Sequence, residues 1–167
     1  MLSLFGCSFN KIGETPDKGE NMKITSPAFR DGGIIPAEYT CDGDNISPEL
    51  NFEEVPENAE SLALIMDDPD APSKTFVHWI VWNIPPTENL EKGEPVSYPQ
   101  GKTGFGKRDY GGPCPPSGTH RYFFKLYALD TTLKLTSGST KQDLEKVMQN
   151  HIIEQAQLVG KYSRQNG

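Results

Sequence analysis

The sequence predicts a β-sandwich with one helix at its periphery. Three observations carry that prediction: compact apolar runs of strand length, prolines and glycines between them, and a single stretch of helical periodicity near the end. At 167 residues the chain suits one hydrophobic core. Its 16 Gly and 14 Pro imply many loops, while 8 Phe, 6 Tyr and 2 Trp supply too much aromatic surface for a disordered chain.

Residues 1–21 lack apolar periodicity and are predicted to be a mobile extension ahead of one domain over residues 22–167. MKITS at 22–26 reads as a short strand. SLALIMD at 61–67 is a buried strand, because an apolar run of that length ends in the turn signal DPDAP; its end delivers Asp67, Asp68 and Asp70. FVHWIVWNI at 76–84 is a second strand, stopped by Pro85 and Pro86. Strict alternation places Phe76, His78, Ile80 and Trp82 on one face and Val77, Trp79 and Val81 on the other, so the strand is central. A third strand, THRYFFKLYAL at 119–129, sets His120, Tyr122, Phe124, Leu126 and Ala128 on one face. The helix is read from a capping box of Ser139 with Gln142, followed by a stripe of Leu144, Val147, Met148, His151, Ile152 and Leu158 and closed by Gly160.

Charge and cysteine content narrow the function. A formal charge of -7 argues against a nucleic-acid partner held through backbone phosphates. No run approaches the ~20 apolar residues that span a bilayer. Cys7, Cys41 and Cys114 show no CxxC spacing, so they mark neither a zinc site nor a thioredoxin-like motif. Residues 1–7 end in LFGC, which resembles a lipoprotein cleavage box, yet no basic or apolar leader region precedes it. The expected compartment is the cytoplasm, with a periplasmic or lipid-anchored location as the alternative if those residues are the remnant of a leader.

Ionisable residues gather at the strand mouths: Asp68 and Asp70 after the first long strand, His78 in the second, and the run from Asp109 to Tyr122 leading into the third. Two carboxylates beside two imidazoles suggest that Asp68 or Asp70 accepts a hydrogen bond from a histidine ring. Such a bond fixes the tautomer and raises the ring's pKa, so that the imidazolium donates to a phosphate oxygen. Gly111 and Gly112 have the conformational freedom to form a backbone anion nest, with Pro113 stiffening its exit. Lys102, Lys107, Arg108 and Arg121 lie in or beside this glycine-rich stretch.

DPDAP at 68–72, HWIVWNIP at 78–85, GGPCPPSGTHRYFFKLYALD at 111–130 and YTCDGDNISPEL at 39–50 together closely resemble the phosphatidylethanolamine-binding protein family, in its bacterial Raf-kinase-inhibitor-like branch. The resemblance extends over about residues 26–164. It implies a Greek-key β-sandwich with a pocket for a phosphate-like anion at one end, to which Asp68, Asp70, His78, Gly112, Pro113, His120 and Tyr122 match by position. It also places Cys41 and Cys114 near the pocket end; whether they form a disulfide is left open, since sequence does not supply a distance. The chain departs from eukaryotic members in a shorter connection between DPDAP and His78, in Val77 where a second histidine often stands, and in a simpler C-terminal region.

The expected function is non-enzymatic binding of a small phosphorylated or otherwise anionic ligand, without a cofactor, with modulation of a kinase or protease as a further role. An interaction module or inhibitor acting through its surface is the alternative. Two enzymatic readings rank lower: a metal hydrolase using the DxD pair and the two histidines, and a hydrolase using Cys114 or Ser117 with His120.

Overall fold

A computed structural model describes residues 21–164. It is mainly β: β1 (Lys23–Thr25), β2 (Asn51–Glu53), β3 (Ser61–Asp68), β4 (Phe76–Ile84), β5 (His120–Leu129), α1 (Lys141–Met148) and β6 (Ile152–Tyr162). β1 and β2 form a small antiparallel sheet, and the other four strands form an antiparallel sheet in the order β4-β3-β5-β6. The 85–119 segment carries the chain from β4 back to the far side of β3, the long return expected of Greek-key connectivity. The mobile extension predicted for residues 1–21 lies, but for its last residue, outside the described residues.

Both faces of β3, a central strand of this sheet, are buried, as its continuous apolar run requires. Leu62, Leu64 and Met66 join Trp79, Val81, Tyr122, Phe124 and Leu126 in the larger core, closed by Ile24, Phe29, Ile35 and Leu50 from the opposite layer. Ala63 and Ile65 join Ile80, Trp82 and Leu129 in a smaller core, which Leu144 and Met148 of α1 cover. Asp67, on this second face, is fully buried and held by the ammonium groups of Lys125 and Lys141, so one carboxylate ties the first residue of α1 to the sheet.

Two features depart from the sequence reading. The helix is much shorter than the apolar stripe suggested: it ends at Met148, and Ile152 to Tyr162 form the edge strand β6. Leu158, Gly160 and Tyr162 are buried at period two, so Gly160 is a strand residue packed against Ile35 and Phe29 rather than a helix cap. The capping box also sits one residue later, with the Asp143 N–H donating to Thr140 Oγ1 and the Thr140 N–H donating to the Asp143 carboxylate.

The second departure concerns β4. Met66 pairs with Trp79 while Asp67 pairs with Val77, so His78 is the extra residue of a β-bulge. The bulge breaks the alternation and turns His78 and Phe76 toward Tyr122, on the larger-core side of the sheet, while Ile80 and Trp82 face α1.

Candidate functional site

At the mouth of β3, β4 and β5 lies a cavity of about 310 Å³. Its polar lining is Asp68, His78, His120 and Tyr122; its apolar walls include Phe76, Phe105, Pro115 and Pro116. Each polar residue arrives for a local reason. Asp68 is the last residue of β3, His120 the first of β5, Tyr122 follows on the same face of β5, and the bulge delivers His78.

Both imidazoles are anchored through the same nitrogen. His120 Nδ1 lies 2.7 Å from a carboxylate oxygen of Asp68, which is itself nearly fully buried. His78 Nδ1 lies 2.7 Å from the Gly111 carbonyl, which only accepts, so this ring carries its proton on Nδ1. In each ring Nε2 is the nitrogen left for a ligand. Burial holds the His78 imidazole below its ordinary pKa, against the Gly111 carbonyl and the Asp68 carboxylate, which act in the opposite direction. The raised pKa expected of a pocket histidine is therefore not the state of His78: unliganded, it favours the neutral ring and presents an acceptor.

The Tyr122 hydroxyl is buried and makes no well-formed hydrogen bond within the protein. Burial, and then the charge of Asp68, push its pKa far up, while the Cys114 backbone works the other way. It stays protonated and is a donor facing the cavity. The Phe105 ring meets Phe76 at 4.8 Å and His78 at 5.5 Å, both edge-on, forming an aromatic rim that is itself 45% exposed.

The second aspartate of the DxD does different work. Asp70 lies outside the cavity lining and accepts from the Arg121 backbone N–H at 2.9 Å and from its guanidinium at 2.8 and 2.9 Å. These bonds lower its pKa to about 2. Asp68 also accepts the Asp70 N–H at 2.8 Å. The two carboxylates thus hold consecutive residues of β5, Asp68 the ring of His120 and Asp70 the arm of Arg121.

Gly112 and Pro113 also lie behind the cavity wall. The Gly111 N–H donates to the His78 carbonyl and the Gly112 N–H to Asn45 Oδ1, so these amides are committed inside the protein and form no open nest. Neither glycine has a positive φ. What Gly112 does require is smallness: a Cβ there would stand 2.2 Å from the Tyr39 carbonyl. Pro113 accepts from the Cys41 N–H at 3.1 Å, beside a Cys41–Cys114 disulfide whose Cα atoms are 5.4 Å apart. This bridge engages the Cys114 sulfur proposed as a nucleophile in one hydrolase reading. It also fixes the wall that carries Pro115 and Pro116.

Among the described residues, no group of three or more His, Cys, Asp and Glu side chains is arranged to hold a metal ion. The Phe76 and Phe105 walls escaped the sequence reading. A glycine on each side of Phe105 was the available signal, because such a residue is unlikely to be buried within a strand.

Comparison with known proteins agrees with the mainly β fold and shows the family. The family model of the phosphatidylethanolamine-binding proteins matches residues 25–163, and the chain belongs to that family. It is 49% identical over 156 residues to a UPF0098 protein of Pyrococcus abyssi, covering 87% of this chain and 88% of the relative. A UPF0098 protein of Methanothermobacter thermautotrophicus is 51% identical over 150 residues, covering 86% and 99%. Among solved structures, a phosphatidylethanolamine-binding protein homolog from Chlamydia trachomatis superposes with a TM-score of 0.84 at 43% identity, covering 86% of this chain and 98% of that one. The E. coli protein YbcL, described as a member of the mammalian PEBP family, gives 0.80 at 30% identity, covering 87% and 100%.

Proposed function

We propose that the protein binds a small anionic ligand, of the phosphate-ester class, in the cavity at the mouths of β3, β4 and β5. The observation that carries this reading is the pair of imidazoles, each anchored through Nδ1 and each lining one cavity together with the unpaired Tyr122 hydroxyl. Tyr122 and a protonated His120 donate to the anion. His78, neutral when unliganded, takes up a proton on binding and donates as well. Asp68, nearly fully buried, acts through His120 as its orienting partner. A volume of about 310 Å³ is at the small end of ligand pockets, which favours a headgroup-sized ligand over a whole lipid.

The reading is of a binding protein rather than an enzyme: Asp68 is committed to orienting His120, the Gly111 carbonyl holds His78, and the walls around them are apolar. Modulation of a kinase or protease rests on the family resemblance alone. No helix among the described residues is long and apolar enough to cross a membrane. The Cys41–Cys114 bridge supports a compartment where disulfides persist, which favours the periplasmic or lipid-anchored alternative over the cytoplasm.

Calorimetric titration with inorganic phosphate and with phosphoethanolamine tests the assignment. The His120→Ala variant removes one charged donor, worth about 1.5–3 kcal/mol, or about ten- to a hundredfold in affinity. Equal binding by wild type and by folded His120→Ala and His78→Ala variants overturns the site.

A further inference from the structure

On the other side of Phe76 the surface opens into a second concavity, which the first site does not use. It is a cleft of about 350 Å³ between the start of β4, the 102–104 loop and the first turn of α1. Lys74, Lys102 and Lys141 line it, together with Thr75, Thr103 and Thr140. Phe76 belongs to both linings, so the two spaces adjoin at this residue.

Three cations around one cleft are unexpected in a chain whose net charge is -7. Lys141 is positioned by the buried Asp67 carboxylate, which it shares with Lys125, so that one anion faces two ammonium groups. Glu145 approaches Lys141 at 3.6 Å from the next helical turn. Lys74 and Lys102 make no ion pair among the described residues. The nearby Asp143 carboxylate is spent on the Thr140 amide and hydroxyl.

The walls of the cleft are held in place without a ligand. The Gly104 N–H donates to the Val77 carbonyl at 2.8 Å, and the Lys102 N–H donates to the Ser139 carbonyl at 2.9 Å. The loop that bears Lys102 is therefore stitched to β4 on one side and to the approach to α1 on the other. Close packing leaves it little room to move, since a Cβ at Gly104 would collide with the Phe76 ring at 2.4 Å. A fixed backbone carrying two ammonium groups without carboxylate partners among the described residues, Lys74 and Lys102, is what a compact, multiply charged anion requires.

We propose that this cleft is a second anion site, separate from the histidine cavity, and that it takes a phosphoryl dianion through Lys74 and Lys102, beside the Lys141 ammonium that Asp67 holds in place. The dianion comes either as a free phosphate or on a phosphorylated side chain of another protein, and the chemistry of recognition is the same.

The test follows backbone amide resonances of the full chain while inorganic phosphate is added at constant ionic strength. The amides of Thr103, Gly104 and Gln142 should move saturably. In a Lys74→Gln/Lys102→Gln double variant, whose substitutions lie at exposed positions, affinity read at those amides should fall at least tenfold. A Lys107→Gln control removes a charge outside the cleft lining and should leave that affinity unchanged. Absence of saturable shifts overturns the proposal, as does an equal response in the double variant or an equal loss in the control. A phosphoserine hexapeptide binding at least tenfold more tightly than phosphate, with its unphosphorylated form silent, assigns the dianion to a protein; equal affinity assigns it to a small anion. The signals of His78 and His120 report the first site in the same experiment, so the failure of one site is read separately from the failure of the other.

Discussion

His120 and Asp68 meet at 2.7 Å across the antiparallel strands β5 and β3, both buried in the cavity lining, and the carboxylate fixes the orientation of the ring. The same carboxylate accepts the Asp70 N–H through its other oxygen. Removing it in Asp68→Ala orphans the buried His120 Nδ1–H, at about 1–3 kcal/mol, and also releases the Asp70 N–H in its partly exposed turn. The melting temperature should fall by several degrees, since about 2–4 °C accompanies each kcal/mol in a domain of this size. Phosphate affinity should fall as well, because the His120 ring loses its orientation. Thermal unfolding followed by circular dichroism checks the first outcome, and an unchanged melting temperature contradicts the role given to Asp68.

The depressed pKa of His78 makes both binding and stability depend on pH. In the folded, unliganded protein the neutral ring is favoured, while in the unfolded chain the ring titrates near 6.5. The unfolded state therefore binds more protons below that value. The stability contributed by neutral His78 is present above about pH 6.5 and is lost as pH falls toward the folded-state pKa. A bound anion reverses the preference, so the His78 pKa rises on ligation. Affinity should be greatest below the unliganded pKa and should weaken as pH rises through the bound-state value. The ring Cε1–H resonance of His78, followed with and without phosphoethanolamine, separates this shift from titration of the ligand itself. A His78 pKa that stays put or falls on binding contradicts it.

The Cys41–Cys114 bridge closes a loop with a sequence separation of 73. Chain entropy alone assigns such a crosslink about 4 kcal/mol, although measured gains are often smaller. The unreduced, denatured protein should show one free thiol, and three after reduction, since the sequence contains 3 cysteines. Reduction should lower the melting temperature and weaken ligand binding, because Cys114 and the prolines after it form a cavity wall. Three free thiols before reduction remove the bridge from the account.

β3, β4 and β5 were legible in the sequence because their apolar runs have strand length, β3 ending in DPDAP and β4 in two prolines. His78, His120, Asp68 and Tyr122 were legible as a set because Asp68 closes β3 while the other three stand within the first three residues of β4 or β5. The cavity-lining role offered to Gly112, Pro113 and Asp70 was not visible in the same way: whether a backbone amide faces a ligand or an internal acceptor such as Asn45 depends on a loop distant in sequence. The face of His78 was hidden for a related reason. A bulge depends on how β3 and β4 register, and alternation within one strand does not contain that information. The C-terminal error came from competing periods. Leu144, Val147 and Met148 repeat as a helix, and Leu158 extends that stripe, but Leu158, Gly160 and Tyr162 also alternate as a strand. Ile152, Ile153 and Val159 are β-branched, and pairing with β5 decides in favour of the strand.

Gly160 offers the most direct test of that strand. As a helix cap it would tolerate Ala at the cost of a few tenths of a kcal/mol if its φ were ordinary, and no neighbouring side chain would oppose the methyl group. In β6 it is paired with Tyr122 of β5 and faces the larger core. An added Cβ stands 2.4 Å from Ile35 Cγ1 and 2.9 Å from Phe29 Cε2. Ile35 is fully buried and cannot move aside into solvent. Gly160→Ala should therefore destabilise the protein by about 1–3 kcal/mol through overpacking, and Gly160→Val by more. A compensating Ile35→Val change, which removes one methyl group from the crowded side, should recover part of the loss. The double-variant cycle is read by chemical denaturation. Additive losses at the two positions show that Gly160 and Ile35 are not in contact, and with that the packing of β6 against the opposite layer fails.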